Sequence, residues 1–205
     1  MSTGRFIVFE GPEGSGKSTQ IAELAKRLEA EGRRIRVVRE PGGTAIGEAI
    51  RAVLLDPKNT AMTVGTETML YMACRSQLVH EVIGPALERG ETVLADRFFT
   101  STLVYQGIAG GLGVDAVQRL YGMVCGLVRP DLVVILDVPA EVGFSRVQRL
   151  FDRMEKKPME FHHKVRGGYL QIAALEPEHY AVVDGTKPPH DVAEAVWREV
   201  KRRGL

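Results

Sequence analysis

The stretch Gly11-Pro12-Glu13-Gly14-Ser15-Gly16-Lys17-Ser18 constrains this 205-residue chain more than any other. It follows the apolar run Phe6-Ile7-Val8-Phe9 and precedes a segment in which Ile21, Leu24, Ala25 and Leu28 recur at i, i+3, i+4 and i+7. An apolar strand that delivers the chain into G-x-x-x-x-G-K-S and then into a helix makes a phosphate cradle. Successive backbone N–H groups and a positive helix terminus converge on one point, where only an anion belongs. Gly11 to Thr19 is therefore the candidate donor-phosphate segment. Within it Lys17 is expected to reach the β- and γ-phosphates, the Ser18 hydroxyl to ligate Mg²⁺, and the glycines to allow backbone conformations that a side chain would block.

The rest of the chain repeats the strand-then-helix alternation. Short buried-strand runs fall at Ile35 to Val38, Thr92 to Ala95, Leu132 to Leu136 and Ala181 to Val183. Helical patterns fall at Ala45 to Leu55, about Thr66 to Arg89 with a bend at Pro85, about Asp115 to Val128, beyond Pro139, from Pro158 to about Leu175, and from about Asp191. Gly107, Gly110, Gly111 and Gly113 read as a flexible connection. The alternation predicts an α/β fold: a doubly wound, five-stranded parallel sheet with helices on both faces. Ligands of such sheets bind at the carboxyl ends of the strands, where Arg39-Glu40, Asp96-Arg97 and Asp137 all fall.

At 44% hydrophobic residues and net charge +1, the chain suits one domain over 1–205 with a sizeable core. The near balance of charge indicates neither nucleic acid nor an anionic membrane as partner. Cys74 and Cys125 lie far apart and outside any C-x-x-C pattern, which points to buried fillers in a reducing, cytoplasmic setting. The five histidines show no metal-ligand spacing.

Five ordered motifs carry a family resemblance over essentially the whole length. They are Glu10 to Ser18, Arg39-Glu40-Pro41-Gly42-Gly43-Thr44, Asp96-Arg97-Phe98, Tyr105-Gln106-Gly107, and Arg129-Pro130-Asp131 leading to Leu136-Asp137. With them the chain resembles the bacterial thymidylate kinases, within the P-loop nucleoside monophosphate kinases. The resemblance implies transfer of the γ-phosphoryl group of ATP to dTMP with Mg²⁺, in a homodimer. An acceptor that is itself a phosphate must be held by fixed cations, for which Arg39, Arg75 and Arg97 are the candidates. A structural ion pair of Arg97 with Asp96 or Glu40 is the alternative. Asp96 is expected to hold a Mg²⁺-bound water, with Asp137 as competitor. Tyr71 and Arg75, one helical turn apart, can line one pocket for a base and its phosphate; Tyr71 as ordinary core is the alternative. Thr102 near the base edge competes with Thr102 as a helix cap. By resemblance Glu13 addresses the sugar 3′-hydroxyl or the metal shell, Tyr105 excludes a ribose 2′-hydroxyl, and Gln106 contacts base or sugar.

The transferring phosphoryl group also needs a guanidinium, and this P-loop has none. The Arg-rich segment at about 146–158 is the expected lid. Arg149 and then Arg153 are the candidates for catalysis, on a helix continuing from Pro139, and Arg146 is better placed for the adenine side. Exposed pairing of Arg149 and Arg153 with Asp152 or Glu155 is the alternative. Other functions are a kinase for another deoxynucleotide or a deoxynucleoside, and a GTPase-type switch, which would need an N-K-x-D string that does not occur.

Overall fold

The computed structural model describes residues 4–126 and 128–205. Its centre is a parallel sheet of five strands, β1 (Arg5–Glu10), β2 (Ile35–Arg39), β3 (Thr92–Asp96), β4 (Leu132–Asp137) and β5 (Tyr180–Asp184), in the order β2-β3-β1-β4-β5. Every pairing is parallel, so all carboxyl ends lie along one edge. The central strands are apolar on both faces, as a sheet covered on both sides requires. Phe6, Val8, Val93, Ala95, Val133 and Ile135 face one core, while Ile7, Phe9, Leu94, Leu132, Val134 and Leu136 face the other.

The second core is closed by α1 (Lys17–Ala30) and α9 (Pro189–Arg202). Ile21, Leu24 and Leu28 of the first meet Val192, Val196 and Val200 of the last on the sheet. The first core is closed by α3 (Val64–Leu78), α6 (Val114–Cys125) and α8 (Met159–Leu175). Helix α2 (Ala45–Leu55) is capped by Thr44, whose hydroxyl accepts from the Gly47 N–H at 2.9 Å, and packs on α3.

The long helix expected to bend at Pro85 does so through a π turn. After α3 the chain passes through Val79–Ile83 in π geometry before α4 (Gly84–Glu88). Proline at 85 has no N–H and its ring crowds the carbonyl four residues back, and one wider turn absorbs both. Two expectations are corrected. The glycine-dotted connection after β3 is helical in its first part: α5 (Phe99–Thr102) runs into a π-helical segment, Leu103–Ala109, whose Leu103, Val104, Tyr105, Gln106 and Gly107 are buried, and only Gly110 to Gly113 form a turn before α6. The helix beyond Pro139, α7, covers only Ala140–Ser145, and Arg149 and Arg153 lie in a turn-rich loop before α8. Their spacing imitates a helix face, but Leu150 beside them is 94% exposed, so no apolar stripe holds such a helix to the core. Helix α6 ends at Cys125 with Gly126 in the left-handed region; of the three further residues expected to be helical, Leu127 lies outside the described residues and Val128 is not in the helix.

Candidate active site

A single cavity of about 1020 Å³ runs along the carboxyl edge of the sheet. It is lined by Glu13 to Thr19, Arg39, Tyr71, Arg75, Asp96, Arg97, Thr102, Tyr105, Gln106, Arg146 and Arg149, whereas Gly11, Pro12, Asp137 and Arg153 do not line it. It spans two regions, the loop between β1 and α1 with its neighbours, and a cation-rich recess between β2, β3, α2, α3 and α5.

The first region is built by close backbone approach. Gly14 has φ +67°, and a Cβ there would overlap the Gly143 carbonyl of α7, so neither side of the contact admits a larger residue. Lys17, 7% exposed, donates to the Gly11 and Pro12 carbonyls at 3.2 and 3.0 Å and to Ser15 Oγ at 3.3 Å. Burial and the charge of Arg97 lower the Lys17 ammonium, against Glu13, Asp96 and Glu10. Ser18 Oγ donates to Asp96 Oδ2 at 3.1 Å, across the parallel register that sets β1 beside β3. Asp137, the competing carboxylate, is taken by Arg166 at 2.7 and 2.9 Å. Arg146 follows α7 and donates to the Gly14 carbonyl at 3.3 Å and the Gly185 carbonyl at 3.0 Å, tying the loop to the end of β5.

The second region centres on Arg97. It is the one described non-glycine residue in the left-handed region, at φ 69°, a conformation that surrounding contacts must hold. Its Nη1 donates to the Gly11 carbonyl at 3.0 Å, Tyr169 Oη at 3.1 Å and Ser101 Oγ at 3.3 Å, and its Nη2 pairs with Glu13. The pair with Asp96 or Glu40 that the sequence left open does not form. Burial alone would raise the Glu13 carboxyl, but Arg97 and Lys17 outweigh it and hold it below the usual range. Burial would lower the Arg97 guanidinium, and Glu13 holds it well above. Tyr105 lies under this pair, with the guanidinium 5.3 Å from its ring centre.

Arg75, the third of the expected phosphate cations, lines the cavity from its floor. It is 1% exposed and its charge is met by Glu40, with Nε and Nη2 at 2.9 and 2.6 Å from Oε2, while Nη2 also donates to the Phe98 carbonyl and Thr102 Oγ1. Burial pushes the Glu40 carboxyl up to about 7 against the pull of Arg75. Arg75 thus belongs to the floor of the cavity beside Tyr71. Thr102 lies inside the helical segment, not at a cap. Gln106 donates to Glu67 Oε1 at 2.7 Å.

The lid arginines separate. Arg149 lines the cavity, 60% exposed at its side chain, and forms a two-bond pair with Glu155, both contacts at 2.7 Å. Arg153 turns away: it pairs with buried Glu67 at 2.6 Å and donates to the Leu54 carbonyl at 2.7 Å. The sequence reading passed over Arg51, Ser101 and Tyr169, and gave Glu10, the first residue of the P-loop motif, no role of its own. Arg51 lines the recess beside Arg39 and donates to the Pro41 carbonyl at 2.7 Å. Burial and its like-charged neighbour Arg39 lower its guanidinium. Its signal was position, one helical span after the Arg39 to Thr44 motif, but a lone arginine on an amphipathic helix reads as surface.

A cradle for a donor phosphate facing a separate cationic recess across one cavity is the arrangement a phosphoryl transfer between two phosphates needs. The thymidylate kinase family matches residues 9–196. The chain belongs to the thymidylate kinase family. It is 45% identical over 206 residues to the thymidylate kinase of Deinococcus radiodurans, covering 100% of both chains. It is 46% identical over 213 residues to that of Citrifermentans bemidjiense, covering 98% of this chain and 95% of the relative. The crystal structure of thymidylate kinase from Ehrlichia chaffeensis superposes with a TM-score of 0.80 at 31% identity, over 97% of this chain and 99% of that one. Membership in this thymidylate kinase family agrees with the five-strand order and the P-loop between β1 and α1.

Proposed function

We infer that the protein transfers the γ-phosphoryl group of ATP to dTMP, forming dTDP and ADP. The carrying observation is the cavity itself, in which the P-loop and the Arg39, Arg51 and Arg97 recess face one another. A deoxynucleoside acceptor would carry no phosphate to occupy that recess, which disfavours the nucleoside-kinase alternative.

On this reading Lys17 and the N–H groups from Glu13 to Thr19 hold the donor phosphates, and Gly185 to Lys187 with Arg146 border the adenine. Arg97, Arg39 and Arg51 hold the acceptor phosphate. Tyr71 presents its ring to the base, while Arg75, Thr102 and Gln106 supply donors and acceptors on the floor. Glu13, released from Arg97, accepts from the sugar 3′-hydroxyl, and Tyr105 fills the space of a 2′-hydroxyl. Ser18 and Asp96 offer a hydroxyl and a carboxylate 3.1 Å apart, hard oxygen donors that fit Mg²⁺. When bound, the ion neutralises charge on the donor phosphates. The 146–158 segment acts as the lid, with Arg149 exchanging Glu155 for the transferring group.

A homodimer is supported by the exposed stripe of Met69 and Ala73 on α3 beside Met123 and Val124 of α6, two helices joined where Ser76 Oγ donates to the Val124 carbonyl at 2.9 Å. Light scattering of the purified protein tests it. Cys74 and Cys125 as buried free thiols support a reducing, cytoplasmic setting, and no helix among the described residues is long and apolar enough to cross a membrane. The catalytic reading is tested by steady-state assay with ATP, Mg²⁺ and each deoxynucleoside monophosphate and deoxynucleoside. Highest kcat/KM on dTMP is expected, and turnover of thymidine in preference to dTMP overturns it.

A further inference from the structure

Glu10 ends β1 at 0% exposure, one residue before the P-loop, and nothing in the transfer reaction uses it directly. Its carboxyl group accepts four hydrogen bonds. Oε1 takes the Phe98 and Ser101 N–H groups, both at 3.0 Å, and Oε2 takes Ser101 Oγ at 2.6 Å and Tyr169 Oη at 2.9 Å. The same two hydroxyl oxygens are those to which Arg97 Nη1 donates.

The direction of these protons follows from what each group can do. A carboxylate only accepts, so the single protons of Ser101 and Tyr169 both point at Glu10. Their oxygens, 2.9 Å apart, then have no proton between them and turn lone pairs toward each other and toward Nη1. A guanidinium, which only donates, is what such a pair of oxygens calls for. The Phe98 N–H bond pins the backbone immediately after Arg97, where φ is 69°. We propose that Glu10 is the positioning residue for Arg97: through Ser101 and Tyr169 its charge fixes two hydroxyls as acceptors for Nη1, leaving Nη2 to face Glu13 and the incoming acceptor phosphate. This rests on the assignment of Arg97 to that phosphate. Burial raises the Glu10 carboxyl, and Arg97, Ser101, the Phe98 N–H and Tyr169 pull against that rise, so the geometry of these four partners is what carries the assignment.

Glu10→Gln keeps the shape and reverses the protons. Its amide oxygen can still serve the two backbone N–H groups, but the amide nitrogen then donates to Ser101 and Tyr169 and turns their protons toward Arg97. The test measures KM for dTMP, KM for ATP, kcat and thermal midpoint for E10Q, Y169F, S101A, the Y169F/S101A double variant, the triple variant and R97A. A lost or reversed bond to a charged group predicts a dTMP KM raised about tenfold or more in E10Q, with ATP KM held within about twofold. In the Y169F/S101A background, where no hydroxyl remains to be turned, E10Q should add less than about twofold. If R97A raises the dTMP KM while E10Q leaves it within about twofold, Glu10 does not position Arg97 and the proposal falls. An equal rise in both KM values overturns it too, because that marks a general P-loop defect. If E10Q does not fold, Y169F and S101A decide: each should raise the dTMP KM severalfold, and no change in either sinks the idea. Should R97A itself leave dTMP use unchanged, the acceptor assignment of Arg97 fails first and the proposal with it.

Discussion

Glu67 keeps its carboxylate 1% exposed among Gln106, Arg153 and Lys157, whereas the Arg149 that lies four residues before Arg153 projects into the cavity. The two arginines should therefore fail differently. Arg153→Ala leaves a buried carboxylate with Lys157 3.5 Å away as its remaining cation, which by precedent for broken buried pairs costs about 3–5 kcal/mol. Chemical denaturation should register that loss, with kcat falling only as far as the lid loosens. Arg149→Ala removes an arginine that is 60% exposed but leaves Glu155, whose side chain is 1% exposed, with the Asp152 N–H as a remaining donor, so stability should fall by about 1–3 kcal/mol while kcat drops by about two orders of magnitude or more. Retention of kcat within a few-fold in R149A would move the transferring group to Arg97 or Arg39. Lys17→Ala should lower kcat/KM by roughly three or more orders of magnitude while the far-ultraviolet circular dichroism stays unchanged. A folded K17A enzyme of near-normal activity would remove the P-loop from the mechanism.

Helix α8 carries a second kind of consequence, through His162, buried against Phe144 with ring centres 4.6 Å apart and bonded to the Lys157 carbonyl at 3.2 Å. Burial lowers its imidazole below the ordinary 6.5. The unfolded chain then binds the proton more readily than the folded one, so this contribution is complete above pH 6.5 and is lost as pH falls through the depressed folded value. His162→Gln should flatten the dependence of thermal midpoint on pH between about 6.5 and 5, and an unchanged slope would assign it elsewhere. At this scale the sequence was legible where burial wrote it. All the strands, the Ala45–Leu55 helix and the Pro158 start of α8 follow from apolar runs and caps. It misled where spacing was the sole cue. Gly107 and Gly110 read as loose chain, yet Gly107 lies within the π-helical segment, and a Cβ on Gly110 at its end would come within 2.8 Å of the Gln106 carbonyl and of Val64. Lid charges at intervals of three and four read as helix without any stripe to bury. The cavity itself was legible through its motifs, whereas Arg51, Glu10 and Tyr169 were not, since their roles depend on partners as far as 159 residues away.

Over the whole molecule, one parallel sheet sends its strand ends to a common edge, and nearly every cation there already has a partner. Arg97 holds Glu13, Arg39 holds Glu48, Arg75 holds Glu40, Arg149 holds Glu155, and Lys17 is folded onto carbonyls. In a chain of net charge +1, such an edge projects little field into solvent, because paired charges cancel beyond a screening length of about 8 Å at physiological salt. Nucleotides should accordingly arrive by unaided diffusion. In stopped-flow measurements the association rate of dTMP should change by less than roughly threefold between about 0.02 and 0.3 M salt, where a steered encounter would fall by roughly tenfold or more. What the edge gives up in speed of capture it gains in discrimination: an anion too small to displace several partners at once, such as free phosphate, finds each described cation of the cavity engaged by a carboxylate or, at Lys17, Arg51 and Arg146, by backbone carbonyls, and is turned away at the door.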